Sequence, residues 1–425
     1  MPERDIERAL LALQNEGSVI VMPADEGAAL WCERRLLARI HRYSRERRRR
    51  AVKPVSPATY ARFLARWHAV DQPGDTPDQA LAQLEGWALP VALWERPVLG
   101  LRCRDFEPGD LDQRLLSGEL TWFRPLVGDP NQRGVVSATP IAIVPRAHLE
   151  AWTGSGPGRP AQGASERSSY AGQVFELLQR RGAMFTRDIE ATSGLLRPHL
   201  EEALKQLVYE GCVTADAFSP LRWLLRPEHQ KARIEKRRGA GGALPIGRWS
   251  LVDAAPGSQD EDRPMEARQR QLAVIAKALL RRYGVVFRAV IQRETLLPPW
   301  RYLLQVLRRM EDRGEVQGGR FVDGFSGEQF ALPEAVGLLR QSLERNSDSE
   351  PVVISAADPL NLGGWILPGP RTPMGLHNRV LLEDGLPVAR MLGEAYEELP
   401  GISDRARRQA RQRLTVVHPW RQQRP

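Results

Sequence analysis

Long apolar runs are missing from this chain: nowhere in its 425 residues do about 18 uncharged apolar residues follow one another, which excludes an ordinary membrane-spanning helix. The N-terminus also lacks the basic, apolar and small-residue order of a secretory signal. Cysteine is scarce, with only Cys32, Cys103 and Cys212, spaced too far apart for a zinc site, so neither a metal nor a disulfide framework is expected and a reducing cytoplasm is the expected compartment. No GxxxxGK[ST] loop is present, which excludes ATP hydrolysis by the P-loop route, and CxxC, HExxH and GxSxG are absent as well. No cofactor is expected. The seven histidines stand apart from one another in sequence and read as surface or capping residues.

Lysine is nearly absent too: five residues out of 61 Lys and Arg. The formal charge of +9 and the pI near 9.9 are therefore carried by arginine, whose planar fork suits phosphate contacts and base stacking. Nucleic acid is the expected partner.

The stretch Tyr170 to Leu225 reads as helix, helix, helix, hairpin. Val174, Phe175, Leu177 and Leu178 have helical spacing up to Gly182, Thr186 can cap a short segment around Ile189, and Ser193-Gly194 turns the chain. Pro198 suits the start of a third helix with Leu200, Ala203, Leu204, Leu207 and Val208 on one face, ended by Gly211. Two β-prone runs follow, Cys212 to Thr214 and Leu221 to Leu225. This is the pattern of a winged helix.

A shift of about a hundred residues finds the pattern again. Gly284 and Phe287 fall where Gly182 and Phe185 stood; Leu303, Val306, Leu307 and Met310 replace Leu200, Ala203, Leu204 and Leu207; Gly314 and Val316 replace Gly211 and Val213. Ile6, Ala9, Leu10, Leu13, Gly17 and Val19 repeat the second half of the unit, so residues 1 to 22 read as the end of a winged helix whose beginning lies outside the sequence. Pro108, Leu111, Leu115, Gly118 and Leu120 give a degenerate fourth echo.

The expected fold class is α+β, predominantly helical: tandem winged-helix (helix-turn-helix) modules with short β wings and a small β-hairpin region near the C-terminus. Residues 1–152 hold the partial winged helix, an arginine-rich helix from Trp31 to Ala51, and a helical domain with the degenerate repeat. Within that domain the core aromatics are Tyr60, Phe63 and Trp67, and Pro90 and Pro97 break the helices Leu81 to Trp87 and Val91 to Leu99. Thr153 to Ser169 is a linker. Winged helices follow at 170–252 and 265–345, with loose stretches at 236–245 and 254–264 flanking a strand at Trp249 to Val252. Residues 350–425 form a small β-containing region with strands at Val352 to Ser355 and Arg379 to Leu392, the latter folded about Asp384-Gly385. The tail Arg405 to Arg413 is a basic helix or is disordered.

Two basic segments are candidates for DNA contact. The first is the arginine-rich helix, with nine arginines from Arg34 to Arg50, among them Arg34, Arg42, Arg47 and Arg48. The second is the helix at 299–313, which in a winged helix enters the major groove; it carries Arg301, Arg308 and Arg309, with Arg288 and Arg293 just upstream. Trp300 could stack on an unpaired base or serve as a core residue at the helix entry. The equivalent helix at 198–210 carries Glu201, Glu202 and Glu210 and is expected to pack against a neighbouring module instead.

Several stretches together resemble the C-terminal region of the bacterial large helicase-related (Lhr) family: Trp31 to Ser56, Ala92 to Trp122, Gly247 to Val252, Gly318 to Pro333 and Ile354 to Pro368. The resemblance covers nearly the whole chain. It implies an array of winged helices that in longer members follows the motor domains of an ATP-dependent DNA repair helicase. As implied by that resemblance, this chain would be a DNA-binding and oligomerising accessory, its partners being single-stranded, duplex or forked DNA, further copies of itself, and the helicase motor domains. A second reading follows from similarity in fold to the AlkZ-like winged-helix DNA glycosylases, which use a Gln-x-Gln or Gln-x-Asp pair on a uracil or alkylated base. Gln269-Arg270-Gln271 is the internal match, with arginine in place of an apolar central residue, and Asp358 and Asn361 form a second polar cluster near a turn. A third reading is a non-catalytic oligomerisation scaffold.

Overall fold

The computed structural model describes residues 3–23, 29–125, 134–154, 168–238, 246–252, 265–344 and 350–415. Most of the expected linker Thr153 to Ser169, most of the stretches 236–245 and 254–264 read as loose, and the residues beyond 415 lie outside the described residues. No helix among the described residues is long and apolar enough to cross a membrane.

Among the described residues three winged-helix modules can be traced, and each closes with a three-stranded antiparallel sheet whose last strand in sequence lies in the middle. In residues 55–146 the order is Leu89–Pro90, Pro140–Pro145, Leu120–Phe123; in 169–252 it is Met184–Phe185, Arg248–Leu251, Val213–Ala215; in 265–341 it is Gln317–Gly319, Gln329–Ala331, Val285–Val286. The first of these was legible only as a faint echo. Its helical stretch 91–102 runs through a π turn containing Pro97, which interrupts the 3.6-residue period, and its first strand is two residues long.

The wing at 169–252 differs from expectation. Leu221 to Leu225 is not a strand: Ser219–Leu224 is a helix with Pro220 in its first turn and Leu221 and Leu224 buried. The Asp112 carboxylate accepts the Phe218 and Ser219 amides at 2.7 and 2.8 Å and so holds the helix entry. The strand paired with Val213–Ala215 is Arg248–Leu251, the segment read from sequence as a separate short strand. Contacts from another module decide here against local β propensity.

At the N-terminus a helix, Glu3–Asn15, precedes the hairpin Val19–Pro23 and Ala29–Glu33. The arginine-rich helix begins at Arg34 rather than Trp31, because Trp31 belongs to the hairpin and Glu33 caps the helix, its carboxylate accepting the Arg35 and Leu36 amides at 2.9 and 2.7 Å. The helix buries no residue, and Leu36, Ile40 and Tyr43 are exposed.

At the other end, Val352–Ser355, Arg379–Glu383, Leu386–Leu392 and Ala395–Glu398 form a four-stranded meander, turned at Asp384 and Gly385, both at positive φ. The helix Asp404–Thr415 packs on it through Ala406, Ala410 and Leu414.

The modules are not beads in a row. The helix Pro57–Trp67, capped by Ser56, leaves its own module and enters the core of 265–341: Tyr60, Phe63 and Leu64 join Leu279, Tyr283, Phe287, Leu303 and Leu307 in one buried cluster that also takes in Ile354 and Val380. Gly284, at φ +62°, lets Phe63 approach where a Cβ would lie 2.4 Å from its ring. Gly385 gives the backbone of Arg62 the same room. A second cluster joins 55–146 to 169–252, with Trp122 and Trp249 meeting edge to face at 6.3 Å.

Candidate nucleic-acid interface

The helix Trp300–Asp312 buries Leu303, Val306, Leu307 and Met310 and turns Arg301, Arg308 and Arg309 to solvent. The arginine-rich helix, Arg34–Ala51, packs against the strand Gln317–Gly319 of the same module. Four contacts fix it there: Arg45 pairs with Asp312, Arg49 grips Glu311 and also donates to Glu328 at 2.9 Å, and Gln317 donates to the Arg48 carbonyl at 3.5 Å. Arg308 takes the other oxygen of Glu328, through Nε at 2.8 Å and Nη2 at 2.5 Å. Two segments about 260 residues apart in sequence thus share one carboxylate. Partial burial works against the charge of Glu328, yet hydrogen bonds from Arg308 and Arg49 hold its carboxyl below the ordinary range.

Both helices present exposed arginines. Arg34, Arg42, Arg47 and Arg48 are exposed on one helix, Arg301 and Arg309 on the other, and Arg288 opens the short helix Arg288–Ile291. Tyr302 sits between two guanidinium groups, Arg268 at 4.6 Å and Arg301 at 4.7 Å from its ring centre. The Arg301 hydrogen bond, at 2.9 Å, holds the phenol below its usual range. Nothing in the sequence separates Tyr302 from a core aromatic; Trp300 is half-buried against the core.

Arg293 is engaged elsewhere. Its Nη atoms donate to the carbonyls of Asn361, at 2.7 Å, and of Pro359, and its guanidinium lies 5.3 Å from the Trp87 ring centre. It ties the helix-turn-helix to the C-terminal sheet.

The helix Arg197–Tyr209 faces inward. Glu201 accepts from Lys231 and from Trp223 Nε1 at 3.0 Å, Tyr209 lies under Arg124 at 3.8 Å, and the Lys205 carbonyl accepts the Val135 amide at 3.1 Å. Its surface meets the 55–146 module.

Neither polar pair considered for base excision converges on a site. Gln269 and Gln271 lie two residues apart on the helix Met265–Tyr283 and so point in nearly opposite directions; Gln271 is buried and donates to Glu150 at 3.3 Å. Asp358 is buried and bound by Arg102, and Asn361 donates to the Ala356 and Thr372 carbonyls at 2.8 Å. Both hold a turn together.

Fold and surface together define a tandem winged-helix protein with a basic face on its last winged helix. Residues 55–146 and 265–351 match the winged-helix domains of the large helicase-related protein, the third and fourth of that family, and these two segments are winged-helix domains of the Lhr family. The winged helix at 169–252 lies between the two matched domains. The chain is 28% identical over 418 residues to the Lhr helicase/uracil glycosylase of Escherichia coli (strain K12), covering 87% of this chain and 26% of that protein. It is 31% identical over 384 residues to the Lhr helicase/probable uracil glycosylase of Mycolicibacterium smegmatis, covering 82% of this chain and 23% of that one. The chain thus spans about a quarter of the length of these relatives. Among solved structures it is similar to the DNA glycosylase AlkZ of Streptomyces sahachiroi, with 13% identity and a TM-score of 0.47 over 87% of this chain and 97% of that chain.

Proposed function

We propose that this chain is a DNA-binding array that acts with the motor domains of an Lhr-type helicase, and that its principal DNA contact is the face shared by the helices Arg34–Ala51 and Trp300–Asp312. The observation that carries this reading is the Glu328 bridge between Arg49 and Arg308. It ties the two basic helices to one carboxylate, which supports a phosphate-binding face shared between them. Arg34, Arg42, Arg47, Arg48, Arg288, Arg301 and Arg309 supply the phosphate contacts, and further copies of the chain extend the array.

The test is duplex binding at several salt concentrations for the unaltered chain and for Arg42→Ala/Arg309→Ala, one position from each helix. Each lost phosphate contact lowers the slope of log K against log salt by about 0.9. Loss of close to two such steps supports the shared face; an unchanged slope overturns it.

A second reading is base excision, favoured by one observation: the names of both curated relatives pair a helicase with a uracil glycosylase. Abasic-site formation on a uracil-containing duplex tests it directly, and its absence removes the reading without touching the first.

A further inference from the structure

The helix Arg34–Ala51 carries two parallel rows of exposed side chains. Leu36, Ile40 and Tyr43 stand in one line along the helix, which Arg47 continues; the three are 41%, 47% and 68% exposed. Arg35, Arg39 and Arg42, each one residue earlier, form a second exposed row, about 100° round the helix. Arg45 and Arg49, which hold the helix to Asp312, Glu311 and Glu328, come two residues after Tyr43 and Arg47, about 200° round. The apolar row therefore faces outward, away from the contacts that dock the helix.

A single exposed leucine needs no explanation. Three apolar side chains in line, on a helix that buries none of its residues, form a patch that calls for a cover. The arginines decide which cover fits. A second copy laid row against row would set arginine against arginine. The occupant has to bring anionic groups to the one row and apolar faces to the other.

DNA brings both, in one of its forms. In a duplex the base faces are stacked on one another and the phosphates are what a helix surface meets; in an unpaired stretch the faces are open to aromatic and apolar side chains. From Leu36 to Tyr43 the row runs about 10 Å, the length of roughly three base steps at about 3.4 Å each.

We propose that Leu36, Ile40 and Tyr43 receive the bases of an unpaired DNA stretch, with Tyr43 stacking on one base and Arg35, Arg39, Arg42 and Arg47 holding the phosphates beside them. The proposal rests on the DNA-binding reading above and gives that reading its preferred substrate, DNA with a single-stranded segment.

The test is binding to an oligothymidylate single strand and to a blunt duplex of equal length, at several salt concentrations, for the unaltered chain, Tyr43→Ala and Tyr43→Phe. Position 43 is exposed and lies outside the buried clusters, so both variants keep the fold. Tyr43→Ala should weaken single-strand binding by about tenfold, the scale of one base stacked on an aromatic ring, with duplex affinity and salt slope unchanged. Tyr43→Phe should keep the single-strand affinity, since stacking uses the ring and not the hydroxyl. Unchanged single-strand affinity in Tyr43→Ala, or an equal loss on both DNAs, overturns this proposal and leaves the DNA-binding reading standing. A second copy or a lipid surface as the occupant would show in Tyr43→Ala as a smaller assembly, or as lost binding to phosphatidylserine vesicles, with single-strand affinity intact; either result overturns the proposal likewise. Failure of the unaltered chain to bind either DNA overturns the DNA-binding reading, and this proposal with it.

Discussion

Arg102 and Asp358 are 256 residues apart in sequence and face each other as a two-point ion pair, Nε to Oδ2 at 2.6 Å and Nη2 to Oδ1 at 2.7 Å, with side chains 3% and 1% exposed. Burial works against the Asp358 charge, but Arg102 holds the carboxyl below its ordinary range. The pair joins the 55–146 module to the C-terminal sheet. Arg102→Met should destabilise the chain by about 3–5 kcal/mol, because it leaves a buried carboxylate unpaired. Urea unfolding checks this, and a loss below about 1 kcal/mol would mean that water reaches Asp358 freely.

His68 adjoins that pair. Its Nδ1 lies 2.8 Å from Arg102 Nη1 and its Nε2 lies 2.6 Å from the Arg282 carbonyl, so the neutral ring accepts from one and donates to the other. Burial first, and the Arg102 charge second, push its pKa down to about 3. The folded state therefore resists a proton that the unfolded state takes up near pH 6.5. Stability should be intact above pH 6.5 and fall as pH drops from there toward 3. Measured stability against pH should lose this slope in His68→Gln.

Glu95 works in the opposite direction. Burial raises its pKa to about 7 despite the nearby Arg222, with Asp112 also close by on the contact between two winged helices. The unfolded carboxyl ionises first, so stability should decline as pH rises from about 4.5 to 7 and stay level above. Glu95→Gln should remove that decline and gain on the order of 2 kcal/mol at pH 8, read from unfolding midpoints at pH 5 and pH 8.

Glu328 neutralises two arginines on the proposed DNA face. Glu328→Gln should raise duplex affinity and steepen the salt dependence by about one to two contacts, each near 0.9 in slope. Weaker binding in this variant would mean that the carboxylate serves to position Arg49 and Arg308 rather than to mask them.

Much of the architecture could be read from residue order. The glycines at 182, 211, 284 and 314, all at positive φ, end helices where the repeat places them, and the Asp384-Gly385 turn follows from its residue types. What stayed hidden was set by distant partners. Leu221 to Leu225 has strand-like composition, but Asp112 and a proline make it a helix. The winged helix at 55–146 was obscured by its π turn and its prolines. Both basic helices were found, but their union through Glu328 was not, because one acid among 52 Asp and Glu carries no mark in sequence.

The burial of the helix Pro57–Trp67 has a consequence during biosynthesis. Tyr60 donates to the Tyr283 and Val285 carbonyls at 3.2 and 3.0 Å, partners made 223 and 225 residues later. At ordinary elongation rates that is a wait of roughly 10–45 s, during which Phe63 and its neighbours have left the ribosome and their final surroundings do not yet exist. Until the 265–341 module is complete, Tyr60, Phe63 and Leu64 are without the surface that finally buries them.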